Sequence, residues 1–259
     1  MLRSRIIPCL LVKNQGLVKT IQFDNPKYVG DPINAVKIFN EKEADELIVL
    51  DISATIEKRE PDYDMIGQLA EECRMPLCYG GGVSSSDQVL RIVQLGVEKV
   101  AISSAAVENP HLVMEAADRV GNQSVVFVLD VKKNIITRKY EVWTKNGHKK
   151  TGKCPIELSQ QMEKKGAGEI LINSIDNDGL MKGYDFSIVE LIKKKIGVPL
   201  TILGGAGSPN DLRELIGRYG PIGAAAGSLF VFKGAYRAVL INYPNRAEKN
   251  LLIEDQSSK

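Results

Sequence analysis

Hydrophobic positions in this chain fall in short runs, each followed by a longer stretch in which apolar residues recur every three or four positions. Runs of this length read as buried strands and the periodic stretches as amphipathic helices. The pattern predicts strands at residues 5–12, 46–51, 76–79, 99–103, 124–131, 169–174, 199–203 and 222–226. Helices are predicted between them at 35–43, 63–73, 87–95, 110–119, 155–165, 186–195 and 210–219, with a last helical stretch at 234–240. The unbroken run ending Val128-Leu129 is the kind that a parallel sheet buries on both faces. Segment 139–150, with Asn146-Gly147, breaks the alternation and reads as a hairpin after the fifth strand. The result is an α/β fold built on a parallel sheet.

An internal repeat decides between an open sheet and a closed one. The stretch from Pro32-Ile33 to Glu46 lines up with Pro155-Ile156 to Glu169, a shift of 123. Pro76-Leu77 to Gly82 recurs as Pro199-Leu200 to Gly205 at the same shift, and Gly96 to Ser104 recurs as Gly220 to Ser228 at 124. Two halves of four β-α units each predict a single (β/α)₈ TIM barrel over 1–259, with half-barrels at about 1–123 and 124–247 and a short C-terminal tail.

Composition narrows the chemistry. With 34 Lys and Arg against 32 Asp and Glu, the chain has a formal charge of +2, and its even distribution argues against a nucleic-acid or acidic-membrane footprint. Residues 6–12 after Arg3 and Arg5 are too short an apolar run for a signal peptide, and no stretch reaches the roughly 18 apolar residues of a bilayer span. Cys9, Cys73, Cys78 and Cys154 form no CxxC pair and read as reduced thiols of a cytoplasmic protein. Two histidines, His111 and His148, leave a His-based metal site or a Ser-His-Asp triad without its residues, so neither a metal nor a cofactor is expected.

In such a barrel the working face lies at the C-terminal strand ends. Gly81 and Gly82 with Ser103 and Ser104, and Gly204 and Gly205 with Gly227 and Ser228, form two glycine-rich ends in duplicate. Glycines let backbone N–H groups approach a phosphate, so the duplication points to a ligand with two phosphates; the alternative is that they only permit tight turns. Asp178-Gly179 follows the sixth strand beside the second cradle. Proton transfer falls to carboxylates: Asp130 at the end of the fifth strand, Asp51 at the end of the second and Asp176 after the sixth. Burial at a barrel mouth raises a carboxylate toward neutrality. For Asp51 and Asp176 the alternative is hydrogen bonding a loop or capping a helix. Aligning the halves puts Leu11 where the second half has Asp130. At the opposite end, Arg5, Glu46, Lys99 and Glu169 each begin a strand and can close a ring of ion pairs. Desolvation makes such a ring a weak stabiliser, which points to a purpose beyond stability.

At these residues the chain resembles, over nearly its whole length, the cyclase subunit (HisF type) of imidazole glycerol phosphate synthase. The matches are Arg5-Ile-Ile-Pro-Cys-Leu10, Gly30-Asp-Pro, Asp45-Glu-Leu, Leu50-Asp-Ile, Gly80-Gly-Gly, Lys99-Val, Ala105-Ala-Val-Glu-Asn-Pro110, Gly166-Ala-Gly-Glu-Ile170, Ser174-Ile-Asp-Asn-Asp-Gly179 and Gly204-Gly-Ala-Gly207. The resemblance implies a separate HisH-type glutaminase on the barrel bottom, whose ammonia passes a gate matching Arg5, Glu46, Lys99 and Glu169. It also implies a top-face reaction of ammonia with a doubly phosphorylated ribulosyl formimino carboxamide ribonucleotide, using two aspartates at the positions of Leu11 and Asp130. Leu11 departs from that pattern, Ser103 stands where the family usually has Asn, and Leu180 and Leu203 replace polar residues near the second phosphate site. With residues 8–20 and 26–35, these departures resemble a paralogous branch linked to bacterial surface polysaccharides. That branch implies a third partner, an amidotransferase that makes an acetamidino sugar. The authentic cyclase of histidine biosynthesis is the alternative.

Overall fold

The computed structural model describes residues 3–234 and 236–253. At its centre are eight parallel strands: Arg5–Lys13 (β1), Leu47–Asp51 (β2), Leu77–Gly80 (β3), Lys99–Ile102 (β4), Val125–Lys133 (β5), Glu169–Ser174 (β6), Leu200–Leu203 (β7) and Gly223–Ala226 (β8). Each pairs with the next, and β8 returns to β1 from Arg5↔Gly223 to Pro8↔Ala226, so the sheet is a closed (β/α)₈ barrel.

Seven helices cover the outside at Pro32–Glu41, Tyr63–Glu72, Ser86–Gln94, His111–Val120, Pro155–Lys164, Phe186–Lys193 and Pro209–Tyr219. Their starts are set by side chains that satisfy otherwise orphan N–H groups: Asp31, Asp62 and Asp185 cap three of them. Ser85 and Ser208, also 123 apart, each complete a capping box. The layer between strands and helices is the main core, with Phe39, Leu47, Ile66, Val100, Phe127, Ile170 and Ile216 fully or nearly fully buried.

Strand parity produces a second, smaller core inside the barrel. Side chains alternate in direction along a strand, so Ile7, Cys9, Ile48, Cys78, Ala101, Val126, Val128, Leu171, Leu203 and Ala225 face inward and pack together. The same parity carries Arg5, Glu46, Lys99 and Glu169 to one end of that interior and Leu11, Leu50, Asp130 and Asn173 to the other.

Besides short helical turns at Ser104–Glu108 and Asn122–Ser124, the structure departs from the pattern-based elements in three places. A hairpin of Gly16–Ile21 and Asp24–Gly30 extends β1, in a stretch to which the pattern assigns no element. The helix expected at 234–240 is instead a short hairpin, Phe232–Lys233 with Ala238–Val239, preceded by one helical turn at Ser228–Val231. The Phe-Val-Phe run at 230–232 followed by Gly234 at φ +73° favours a turn over continued helix. A last helix, Arg246–Ile253, lies in the stretch read as tail, and the tail beyond it is outside the described residues. The hairpin expected after the fifth strand is present as Tyr140–Thr144 with Lys149–Lys150, and β5 runs on to Lys133 to pair with it.

Candidate functional site

At the N-terminal end of the barrel the four inward charges close a ring. Arg5 donates to both Glu46 and Glu169, the latter at 2.8 Å, and Lys99 Nζ lies 2.9 Å from each carboxylate. Thr201 adds its hydroxyl to Glu169. Burial would lower Lys99, but Glu169 and Glu46 outweigh it and hold the ammonium above its ordinary value. Burial likewise opposes ionisation of Glu169, and Arg5 and Lys99 overcome it, so its carboxyl lies below its ordinary range. The charged forms of Lys99 and Glu169 are thus favoured, in contact with the apolar interior above them.

At the C-terminal end a cavity of about 500 Å³ opens among the strand ends. Its wall includes both glycine-rich ends with their serines: Gly81, Gly82, Ser103 and Ser104 on one side, Gly204, Gly205, Gly227 and Ser228 on the other. Gly81 (φ +118°) and Gly205 (φ +108°) occupy backbone conformations that side chains rarely adopt, and each passes close to the next chain segment. A Cβ on Gly81 would lie 2.3 Å from the Asp51 carbonyl oxygen, and one on Gly205 2.1 Å from that of Gly183. Asp178 and Gly179 also line the cavity.

The four catalytic candidates separate. Asp130 ends in the cavity, buried, where it accepts hydrogen bonds from Asn173 Nδ2 at 3.3 Å and Ser103 Oγ at 3.5 Å. Burial raises its carboxyl from 3.8 to about 7, against the pull of those two donors. Leu11 lines the opposite part of the mouth. Asp51 has the outward parity relative to Leu50, and although it borders the cavity its carboxylate is committed to Ser53 and Ala54 N–H, Ser53 Oγ and Arg59. Asp176 accepts from Lys133 N–H at 2.8 Å and does not line the cavity. Both make loop contacts of the kind that the structural alternative describes. Leu203 faces the cavity and Leu180 does not.

Two mouth residues escaped the sequence reading. The hairpin after β1 folds back over the mouth and buries Lys19, whose Nζ donates to the Cys9 carbonyl oxygen at 2.7 Å. Burial lowers its ammonium from its ordinary value, while Asp178 pulls the other way. Asp178 in turn accepts from Thr20 Oγ1 at 2.8 Å and Phe23 N–H at 3.2 Å, which clamps the hairpin. A Cβ on Gly227 would lie 2.6 Å from Lys19 Nζ, so that glycine leaves room for the ammonium at the second cradle. A lysine inside Leu17-Val18-Lys19-Thr20-Ile21 was the available signal. The second residue is Asn173, readable from parity as the inward position two after Leu171. Its Oδ1 is buried with no hydrogen-bond partner among the described residues.

Glycine-rich strand ends in duplicate, a buried carboxyl near neutrality and an ion-pair ring on the same axis mark a (β/α)₈ barrel with a glycine-lined cavity at one end and a ring of paired charges at the other. Residues 5–237 match the family described as histidine biosynthesis protein, and the chain belongs to that family, in its HisF-type branch. It is 57% identical over 97% of its length to a Leptospira interrogans protein provisionally named imidazole glycerol phosphate synthase subunit HisF, covering 99% of that relative. A Pseudomonas aeruginosa protein provisionally named the hisF2 subunit is 50% identical over 95% of this chain and 97% of its own. The imidazole glycerol phosphate synthase subunit HisF of Lactococcus lactis subsp. cremoris is 42% identical over 89% of each.

Proposed function

We propose that this barrel receives ammonia from a separate glutaminase seated on the Arg5–Glu46–Lys99–Glu169 end and delivers it to the mouth for acetamidino-sugar synthesis, in place of the cyclase reaction. The observation that carries the reading is one of register. On β5 and β6, Asp130 faces Asn173, whereas the repeat-related pair on β1 and β2 is Leu11 facing Leu50. Of the two repeat-related positions, one therefore carries the buried carboxyl of Asp130 and the other the isobutyl group of Leu11. Losing a general acid or base costs about 10² to 10⁴ in rate. Asp51 and Asp176 are tied to their loops and offer no replacement.

The remaining parts fit transport. Between ring and mouth the interior is packed with Ile7, Cys9, Ile48, Cys78, Ala101, Val126, Leu171 and Ala225, apolar side chains past which neutral ammonia would move at far lower cost than ammonium. Each ring member has two or more partners, so displacing Lys99 leaves Arg5 between both carboxylates and the closure can open one charge at a time. Lys19, Ser104, Ser228 and the glycine cradles supply a phosphate-bearing ligand at the top with an ammonium and backbone donors. An amidotransferase that makes the sugar product completes the assembly.

The test supplies the purified chain with ammonium salts and the ribulosyl formimino carboxamide ribonucleotide of the cyclase reaction. The expected result is no useful turnover; robust formation of imidazole glycerol phosphate overturns the reading. The alternative, an authentic cyclase subunit, is favoured by the 42% identity to the Lactococcus HisF subunit. Complementation of a cyclase-deficient histidine auxotroph would establish it.

A further inference from the structure

The three most exposed large apolar side chains among the described residues are Ile135 (84%), Ile136 (91%) and Tyr236 (99%), all at the mouth end of the barrel. Ile135 and Ile136 sit at the apex of the turn that joins β5 to Tyr140–Thr144, and Asn134 closes that turn. The Asn134 side chain accepts from Ile136 and Thr137 N–H, both at 2.9 Å, and Asn134 N–H donates to the Lys139 carbonyl oxygen at 2.8 Å. The two isoleucines therefore project from a turn closed by its own hydrogen bonds.

Around them the charge is one-sided. Segment 131–153 carries eight Lys and Arg and a single acid, Glu141, in a chain whose total is only +2. Lys145 and Lys149 pair with Glu108, and Lys150 with Glu141. Lys132 and Lys133 lie over the Trp143 and Tyr140 rings, and with Arg138 and Lys139 they have no carboxylate partner among the described residues. All four lie within three residues of the isoleucine tip along the chain. Near-neutral totals hid the patch from the sequence reading.

The tip belongs to a platform. Lys133 N–H bonds Asp176, Arg237 beside Tyr236 donates to the Gly179 carbonyl oxygen at 3.1 Å, and Gln22 next to half-exposed Ile21 donates to the Asp176 carbonyl oxygen at 2.9 Å. One loop after β6 thus fixes three hairpin tips relative to one another. Separate apolar points around an open cavity do not make the continuous patch of about 800 Å² per partner that a stable protein interface needs. A bilayer surface asks only for apolar and aromatic groups at the acyl boundary with cations at phosphate level.

We propose that the mouth end of this barrel docks reversibly on an anionic lipid surface, with Ile135, Ile136 and Tyr236 entering the interface and Lys132, Lys133, Arg138 and Lys139 meeting the lipid phosphates. Ile135 is five residues past Asp130, about 16 Å along an extended strand, so the lipid plane stands above the cavity and leaves it open. The inference stands apart from the ammonia reading, and either can fail alone.

Co-sedimentation of the full chain with phosphatidylcholine vesicles, with and without about 30% phosphatidylglycerol, tests it in roughly 0.1 M salt. Binding is expected on the anionic vesicles only. It should weaken about tenfold for Ile135→Ser with Ile136→Ser, and at least as much for Lys132→Gln with Lys133→Gln, Arg138→Gln and Lys139→Gln. Unchanged thermal melts of these variants show that folding is intact. Absence of binding to anionic vesicles overturns the proposal, as does full binding by the isoleucine variant. Retention on polyglutamate without vesicle binding overturns it too, and makes the tip a site for an acidic protein.

Discussion

Asp130 accepts a hydrogen bond of 3.3 Å from the side-chain amide of Asn173, its direct neighbour across β5 and β6. The contact sits where parity points both side chains into the mouth, and burial there lifts Asp130 to about 7. Because its folded value exceeds the ordinary 3.8, the folded state keeps a proton that the unfolded chain has released between those values. Stability contributed at this site therefore falls as pH rises from about 4 to about 7.

Asp130→Asn removes that titration while keeping the shape. The variant is expected to match the parent near pH 4 and to exceed it at pH 8 by about 2 kcal/mol, half of the roughly 4 that three pKa units allow, since the cavity is open to water. Urea unfolding at the two pH values measures the difference. Equal stability at both would mean that Asp130 is not raised.

Leu11→Asp places a second carboxylate across the mouth from Asp130. Removing an apolar side chain that packs with Leu50 beside the inner core is expected to cost about 1–3 kcal/mol. The same change should bring ammonium-dependent cyclase turnover above background, whereas Leu11→Asn, similar in size without an ionisable proton, should not. Leu203 in the cavity wall limits the gain.

Glu169→Ala takes one anion from the ring and leaves Arg5 and Lys99 sharing Glu46. Breaking a buried pair on one side costs about 3 kcal/mol, which thermal melting resolves. The pH dependence has the opposite sign to that of Asp130. Glu169 lies below its ordinary 4.5, so its stabilisation is complete above that value and is lost as pH falls through the lower folded value. The parent should therefore lose stability on acidification faster than the variant.

Gly205→Ala should cost more than about 2 kcal/mol, because the strained φ and a 2.1 Å approach to the Gly183 carbonyl oxygen must both be relieved. Gly152→Ala, at φ +70° with nothing within 4 Å, isolates the conformational cost alone and should lose about 1 kcal/mol. Denaturant midpoints of the pair separate backbone strain from close packing at the second cradle.

Much of the architecture was legible because it is local or periodic. Alternating runs located the eight strands, and the 123-residue repeat closed them into a barrel. Parity then sent Arg5, Glu46, Lys99 and Glu169 to the bottom, and a glycine at Gly81 or Gly205 reports a backbone need that no other residue meets. Errors gathered where several conformations satisfy the same pattern: the Phe-Val-Phe run before Gly234 suits a turn of helix or a hairpin, and only its packing against Leu240 and Asn242 chose.

The sequence by itself determined the barrel, its two chemically distinct ends and the leucine at position 11 where the second half has Asp130, since each follows from identity and spacing within a strand or a repeat. Tertiary structure alone decided that Lys19 is buried beside Gly227, that Asp51 and Asp176 bond to loop N–H groups, and that Asn173 bonds Asp130. Those outcomes depend on contacts between segments up to about 160 residues apart, as in Thr20 with Asp178. Whether a polar side chain meets water, a ligand or a backbone amide is fixed only when those segments close on one another.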